Sequence, residues 1–159
     1  MLIPVEGLFE AHIIVQDVPR SIGFYRDVVG LQLALSDPQR PAAFFWLGGR
    51  CRTMMGIFSA SAFAAALGTP AQFIHQHLAF RVQLNDLLVA PQRLRSVGIA
   101  PLNNQRKPAD EPIVFAWMPA ASVFFHDPDG HLLEYISILP GPPRPELGVV
   151  SWSAWPGIE

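Results

Sequence analysis

Read for its hydrophobic pattern alone, the chain falls into short apolar runs separated by turn residues. Leu8–Val15 is β-rich and apolar on both faces, which predicts a buried strand. Asp17–Val29 carries Ile22, Phe24-Tyr25 and Val28-Val29 at helical spacing. Asp17 is placed to cap that helix, Pro19 suits its first turn and Gly30 its end. Leu31–Ser36 follows as a strand and Asp37-Pro38 begins a turn. Ala42–Leu47 and Thr53–Phe58 predict a hairpin joined through Gly48-Gly49. The segment 59–76 reads as a linker with an alanine-rich helical turn.

The second half repeats this order. His77–Gln83 predicts a strand, and Asn85–Val97 a helix in which Pro91 sits in the first turns or acts as a disturbance. Gly98 closes that helix and Ile99–Leu102 continues as a short strand. A polar loop spans 103–112, and Val114–Met118, Val123–His126 and Leu132–Ser137 are the remaining strands. Asp127-Pro128-Asp129-Gly130 is a strong turn signal between the last two. Strand, helix, three strands is thus written twice, the second copy carrying the short strand 99–102 in addition. His12 answers His77 at an offset of 65, Phe44-Phe45 answers Phe124-Phe125 at 80, and Gly56 answers Glu134 at 78. The pattern predicts an α+β domain over 1–139, with one module at about 7–59 and another at about 77–138. Residues 140–159, with five prolines and two of the four tryptophans, read as an extended tail packed on a surface.

Composition narrows the classes of function. The 159 residues are 50% hydrophobic and 15% charged, which excludes wholesale disorder. A formal net charge of −2 gives no broad cationic surface for nucleic acid or acidic lipid. No apolar run approaches the roughly 20 residues of a membrane span, and no leader pattern is visible at the start. The single cysteine, Cys51, forms no internal disulfide, and a cytoplasmic location is expected.

Few residues can carry chemistry. His12, His77 and Glu134 all sit inside apolar strands. A carboxylate in such a place is costly unless a positive charge compensates it. A divalent ion shared with two imidazoles is one solution, and it leaves positions open for water or a substrate oxygen. Taken alone, a histidine in a strand is more often a hydrogen-bonded core residue and a glutamate in a terminal strand usually faces solvent; the repeat is what favours ligation. If the halves pack with pseudo-twofold symmetry, His12, Gly56, His77 and Glu134 converge on one axis. Strand alternation puts Glu10 on the face of His12, where it could act as a proton-transfer base. It also puts His75, Ala79 and Arg81 on the face of His77. Arg81 could hold an anionic substrate group or pair internally. Phe44, Trp46, Phe58 and Trp117 are candidates for an apolar pocket wall or plain core. His126 and His131 flank the Asp-Pro-Asp-Gly turn and read as surface residues.

The run from His12 through Phe24-Tyr25 to Gly30, together with His77-Leu-Ala-Phe and Asp127-Pro-Asp-Gly-His-Leu-Leu-Glu134, resembles the vicinal oxygen chelate superfamily over about residues 7–138. Its members include glyoxalase I, fosfomycin-resistance thiol transferases, extradiol dioxygenases and metal-free bleomycin-resistance proteins. The resemblance implies paired βαβββ modules forming an open mixed barrel around a central cavity and a divalent metal, which could be Zn, Ni, Mn or Fe. The family's ligand positions match His12, His77 and Glu134. In small members two chains pair and share each site, which implies a homodimer here. The fourth, acidic ligand of glyoxalase I falls on Gly56, and a tyrosine of the extradiol enzymes on Phe124. The expected function is metal-dependent, glyoxalase-like chemistry on a small oxygen-bearing substrate. It would be lyase, isomerase or thiol-transfer chemistry that stabilises an oxyanion. The alternatives are a non-catalytic binding protein of the bleomycin-resistance type and an extradiol-type iron dioxygenase.

Overall fold

A computed structural model of the chain describes residues 3, 6–68 and 70–156. The ends of the expected domain and tail that fall on residues 1, 2, 4, 5, 69 and 157–159 lie outside the described residues. The chain divides into two compact units, Met1–His75 and Gln76–Glu159. The class is α+β, and each unit is built on the expected βαβββ order.

In the first unit, β1 (Glu10–Ile14) leads into α1 (Val18–Asp27), then β2 (Gln32–Asp37), β3 (Ala42–Leu47), β4 (Thr53–Phe58) and α2 (Ala60–Leu67). The strands lie in the order β1-β4-β3-β2, with β1 parallel to β4 and the other pairs antiparallel. Asp17 caps α1 by accepting the Arg20 N–H at 2.9 Å, and Pro19 sits in the first turn. Gly30 at φ +83° turns the chain out of the helix, a conformation that side-chained residues rarely adopt. Tyr25, Phe45, Ile13, Met55 and Ile57 fill the core. The expected buried strand from Leu8 starts instead at Glu10: β1 is an edge strand, and Leu8 and Phe9 are exposed. The helical turn expected in the linker is a two-turn helix, capped by the Ser59 hydroxyl, which accepts the Ala62 N–H at 3.2 Å.

The second unit follows β5 (His77–Arg81), α3 (Leu84–Ser96), β6 (Ile113–Phe115), β7 (Ala120–His126), β8 (Leu132–Ile138) and β9 (Val149–Ser151). Its sheet order, β5-β8-β7-β6-β9, repeats the first sheet and adds one strand. Residues 99–102 do not form the expected strand: Leu102 makes only single bridges to Phe124 and Pro108. Pro101 lacks the N–H that a ladder needs, and β6 takes the place corresponding to β2. Pro91 lies buried inside α3, which runs on to Ser96. The tail is a sheet edge and not only a surface wrap. Its β9 pairs antiparallel with β6, and Glu111 accepts the Ser153 N–H at 2.9 Å and its hydroxyl at 2.8 Å. That pairing covers an edge that would otherwise offer unpaired backbone groups. No helix among the described residues is long and apolar enough to cross a membrane.

Candidate functional site

In the first unit the alternation of β1 places Glu10 and His12 on one face. His12 stands opposite Gly56 on β4, and Gly56 opposite Phe44 on β3. A Cβ on residue 56 would lie 2.6 Å from His12 Cδ2 and 2.9 Å from Phe58 Cε2. Glycine there is what lets the imidazole lie across the neighbouring strand. The ring packs among three phenylalanines, with ring centres 4.8 Å away for Phe58, 6.1 Å for Phe44 and 6.3 Å for Phe63 of α2. The Arg40 guanidinium lies 5.7 Å from the Phe58 ring centre. His12 Nε2 is 2.8 Å from Glu10 Oε1. That approach is close but does not meet hydrogen-bond direction. Buried Nε2 therefore has no hydrogen-bond partner among the described residues.

In the second unit Glu134 lies on β8 between Ala79 of β5 and Phe124 of β7. Glu134 is 4% exposed. His77 Nε2 is 3.0 Å from its Oε2, and the imidazole is half in solvent. The other oxygen, Oε1, is buried without a hydrogen-bond partner among the described residues. The His77 ring centre lies 6.0 Å from that of Phe124, much as His12 lies from Phe44.

Sequence reasoning misplaced His131. It is fully buried, not a surface residue. Its Nδ1 accepts the Gln76 N–H at 3.0 Å, which leaves the proton of a neutral ring on Nε2. Its own N–H donates to Asp127 Oδ1 at 2.8 Å, and Asp129 N–H donates to the same oxygen at 2.9 Å. The Asp-Pro-Asp-Gly turn is thereby tied to the residue before His77. The signal in the sequence was that His131 directly precedes the apolar Leu132-Leu133. His126 is exposed, as expected, with Nδ1 3.2 Å from the Gly130 carbonyl.

The remaining candidates divide. Phe44 and Phe58 are at the His12 ring, and Phe63 joins them although the sequence did not single it out. Trp46 is half-buried on β3 opposite Met54. Trp117 is exposed on the turn 116–119. Arg81 is exposed at the end of β5 on the face of His77. His75 is exposed, with its ring centre 5.3 Å from that of Phe73. Cys51 is exposed in the hairpin turn.

Strand pairing also corrects the internal equivalence. Phe44↔Gly56 corresponds to Phe124↔Glu134, as the offsets of 80 and 78 require. But Gly56 pairs across β1 with His12, whereas Glu134 pairs across β5 with Ala79. The counterpart of His12 is therefore Ala79, and the counterpart of His77 is Glu10. The offset of 65 between the histidines compared positions two residues out of register, which alternation hides because both face the same way.

Each unit thus offers one imidazole nitrogen and one carboxylate oxygen within 3.0 Å, and each leaves a buried donor or acceptor without a hydrogen bond. Such nitrogen and oxygen donors suit a divalent ion. Among the described residues, no group of three or more histidine, cysteine, aspartate or glutamate side chains is gathered at one point.

A family model described as Glyoxalase/Bleomycin resistance protein/Dioxygenase superfamily matches residues 7–135. No curated protein matches by sequence. Among solved structures, the integron cassette protein HFX_CASS4 from the mobile metagenome of Halifax Harbour sewage outfall is 27% identical, with a TM-score of 0.63 over 84% of this chain and 100% of that one. Lactoylglutathione lyase from Agrobacterium tumefaciens is 21% identical, with a TM-score of 0.66 over 84% and 95%. A glyoxalase/bleomycin resistance protein/dioxygenase from Nocardioides is 21% identical, with a TM-score of 0.66 over 90% and 91%.

Proposed function

Because the chain belongs to the Glyoxalase/Bleomycin resistance protein/Dioxygenase superfamily, we propose that it is a metal-dependent, glyoxalase-like enzyme. Its ligands would be His12, His77 and Glu134. Its substrate would be a small molecule bearing one or two oxygens. One observation carries this reading. Both units hold an imidazole–carboxylate pair, with His12 Nε2 and Glu134 Oε1 buried and lacking hydrogen bonds. Leaving such groups uncompensated costs about 1–3 kcal/mol each, and a bound cation removes that cost.

When bound, a divalent ion such as Zn, Ni, Mn or Fe supplies Lewis acidity that polarises a substrate oxygen and stabilises an oxyanion. The chain's own residues do the rest. Phe44, Phe58 and Phe63 keep water from one side of the His12 ring. His131 and Asp127 fix the start of β5 and with it His77. Arg81 holds an anionic group of the substrate. Chemistry consistent with this arrangement is lyase or isomerase turnover next to a carbonyl, or thiol transfer. Two copies of the chain would pair and share each site.

The test is metal uptake. Chelator-treated protein reloaded with Mn, Ni, Zn or Fe should retain about one ion per chain, as a three-ligand site predicts. His77→Ala and Glu134→Ala should retain almost none. Wild-type protein that stays empty in all four metals overturns the proposal.

A further inference from the structure

We infer that Ser122 is a substrate-binding residue. With Arg81 it selects a small carboxylic acid that bears a second oxygen, a hydroxyl or a carbonyl, close to the carboxylate. The inference rests on the reading above of the Glu134 face as the side that meets substrate, and it uses residues of the second unit alone.

Ser122 is 1% exposed, and its hydroxyl oxygen is buried without a hydrogen-bond partner among the described residues. Such a hydroxyl costs stability, so a fold with no use for it is better served by alanine. The repeat shows that alanine suffices. Ser122 corresponds to Ala42, because Phe124 and Phe44, two residues further on, correspond. In the first unit the row Ile14–Phe58–Ala42 is apolar, and Ala62 and Phe63 of α2 pack against it. In the second unit the same row reads Arg81–Ile136–Ser122. No α-helix follows β8 among the described residues to cover that row. Ile136 is half-buried and Arg81 is exposed. A guanidinium and a hydroxyl thus stand where the other copy has hydrophobic core.

Register defines what they can hold. Paired residues share a face, so Arg81, Ile136 and Ser122 point the same way as Glu134, two residues along β8. Ser122 and Glu134 are diagonal neighbours across β7 and β8. Strands lie about 4.8 Å apart, so the α-carbons of Arg81 and Ser122, two strands apart, are separated by about 10 Å. An arginine side chain and a molecule of a few heavy atoms together span that distance. Arg81 has no acidic partner among the described residues. Its guanidinium offers paired N–H donors to a carboxylate. The Ser122 hydroxyl donates to, or accepts from, one further oxygen. Ile136 between them meets the carbon skeleton.

The test titrates lactate, pyruvate and propionate into wild type, Ser122→Ala and Arg81→Gln by NMR, with urea unfolding of the ligand-free proteins. Propionate lacks the second oxygen. Wild type should bind lactate or pyruvate about 2–10-fold more tightly than propionate, as one added hydrogen bond predicts. Ser122→Ala should lose that preference, keep its propionate affinity and unfold at a higher urea midpoint. Arg81→Gln should weaken all three acids by about 10–100-fold, the loss expected for hydrogen bonds to a charged group. A lower midpoint in Ser122→Ala means that the hydroxyl serves the fold, and overturns the inference. So does a lactate or pyruvate preference that survives in Ser122→Ala, or wild type that binds none of the acids. Metal retention is scored separately. Wild type that retains metal and shows no preference among the acids overturns this inference alone, and wild type that shows the preference and retains no metal overturns only the metal-dependent reading.

Discussion

The two units share a strand order and solve the same local problem in opposite ways. In the first, the bulky functional group of the central row is an imidazole, and the residue opposite it is Gly56. In the second, the bulky group is a carboxylate, and the residue opposite is Ala79. Large against small is kept; which strand carries which is exchanged. The supports differ too. His12 is wedged among phenyl rings from β3, β4 and α2, so packing fixes its orientation. His77 has one ring neighbour among the contacts described and is half exposed. Its place is set through the backbone, by the buried His131 that holds Gln76. A conserved topology can thus hold equivalent groups by side-chain packing in one copy and by a backbone tie in the other.

The largest effect should come from removing that tie. His131→Ala empties a fully buried site and strands the Gln76 N–H, at a cost of about 2–4 kcal/mol. Urea unfolding measures the loss, and amide exchange at Gln76 and Leu132 should quicken while β1 and β4 amides hold. A loss below about 0.5 kcal/mol, the usual range for a surface change, would mean that the second unit needs no such tie. Next is Gly56→Ala, which overpacks the first unit by about 1–3 kcal/mol and displaces the His12 ring. Ring-proton NMR of His12 should report the displacement. If that signal stays in place at full stability, the large-against-small rule is broken.

The smallest effect is confined to alkaline pH. Burial pushes the Tyr135 phenol up to about 12, and its ring centre lies 4.7 Å from that of Phe125. An unfolded chain ionises this group near pH 10. The contribution of the neutral buried phenol is therefore complete below about pH 10 and is lost as pH rises through about 12. Urea midpoints between pH 9 and 11.5 should fall less steeply in Tyr135→Phe. Equal slopes would remove this titration from the second unit's account.

Much of the fold was legible from short-range signals. The bounds Ala42–Leu47 and Thr53–Phe58 agree with the hairpin read from Gly48-Gly49 and the apolar runs beside it. Asp17, Pro19 and Gly30 mark α1 because capping and positive φ are properties of single residues. The strand expected at 99–102 failed for a longer-range reason. Apolar residues there suit either a strand or a packed loop, and Pro101 together with the bridges of Leu102 decides for the loop. His131 looked like a surface residue because turn residues usually are. Its burial depends on Gln76, 55 residues away in the chain. Of the candidate site, the residue types and the face they share were readable, since alternation along a strand is local.

What the amino-acid order determined by itself is the βαβββ order of both units, the internal repeat and the family, all of which follow from patterns a few residues long. Which positions of the two repeats correspond was decided only by the paired strands. A shift of two residues leaves every side chain on the same face, so periodicity cannot detect it. Hydrogen-bonded register can, and it moved the counterpart of His77 from His12 to Glu10.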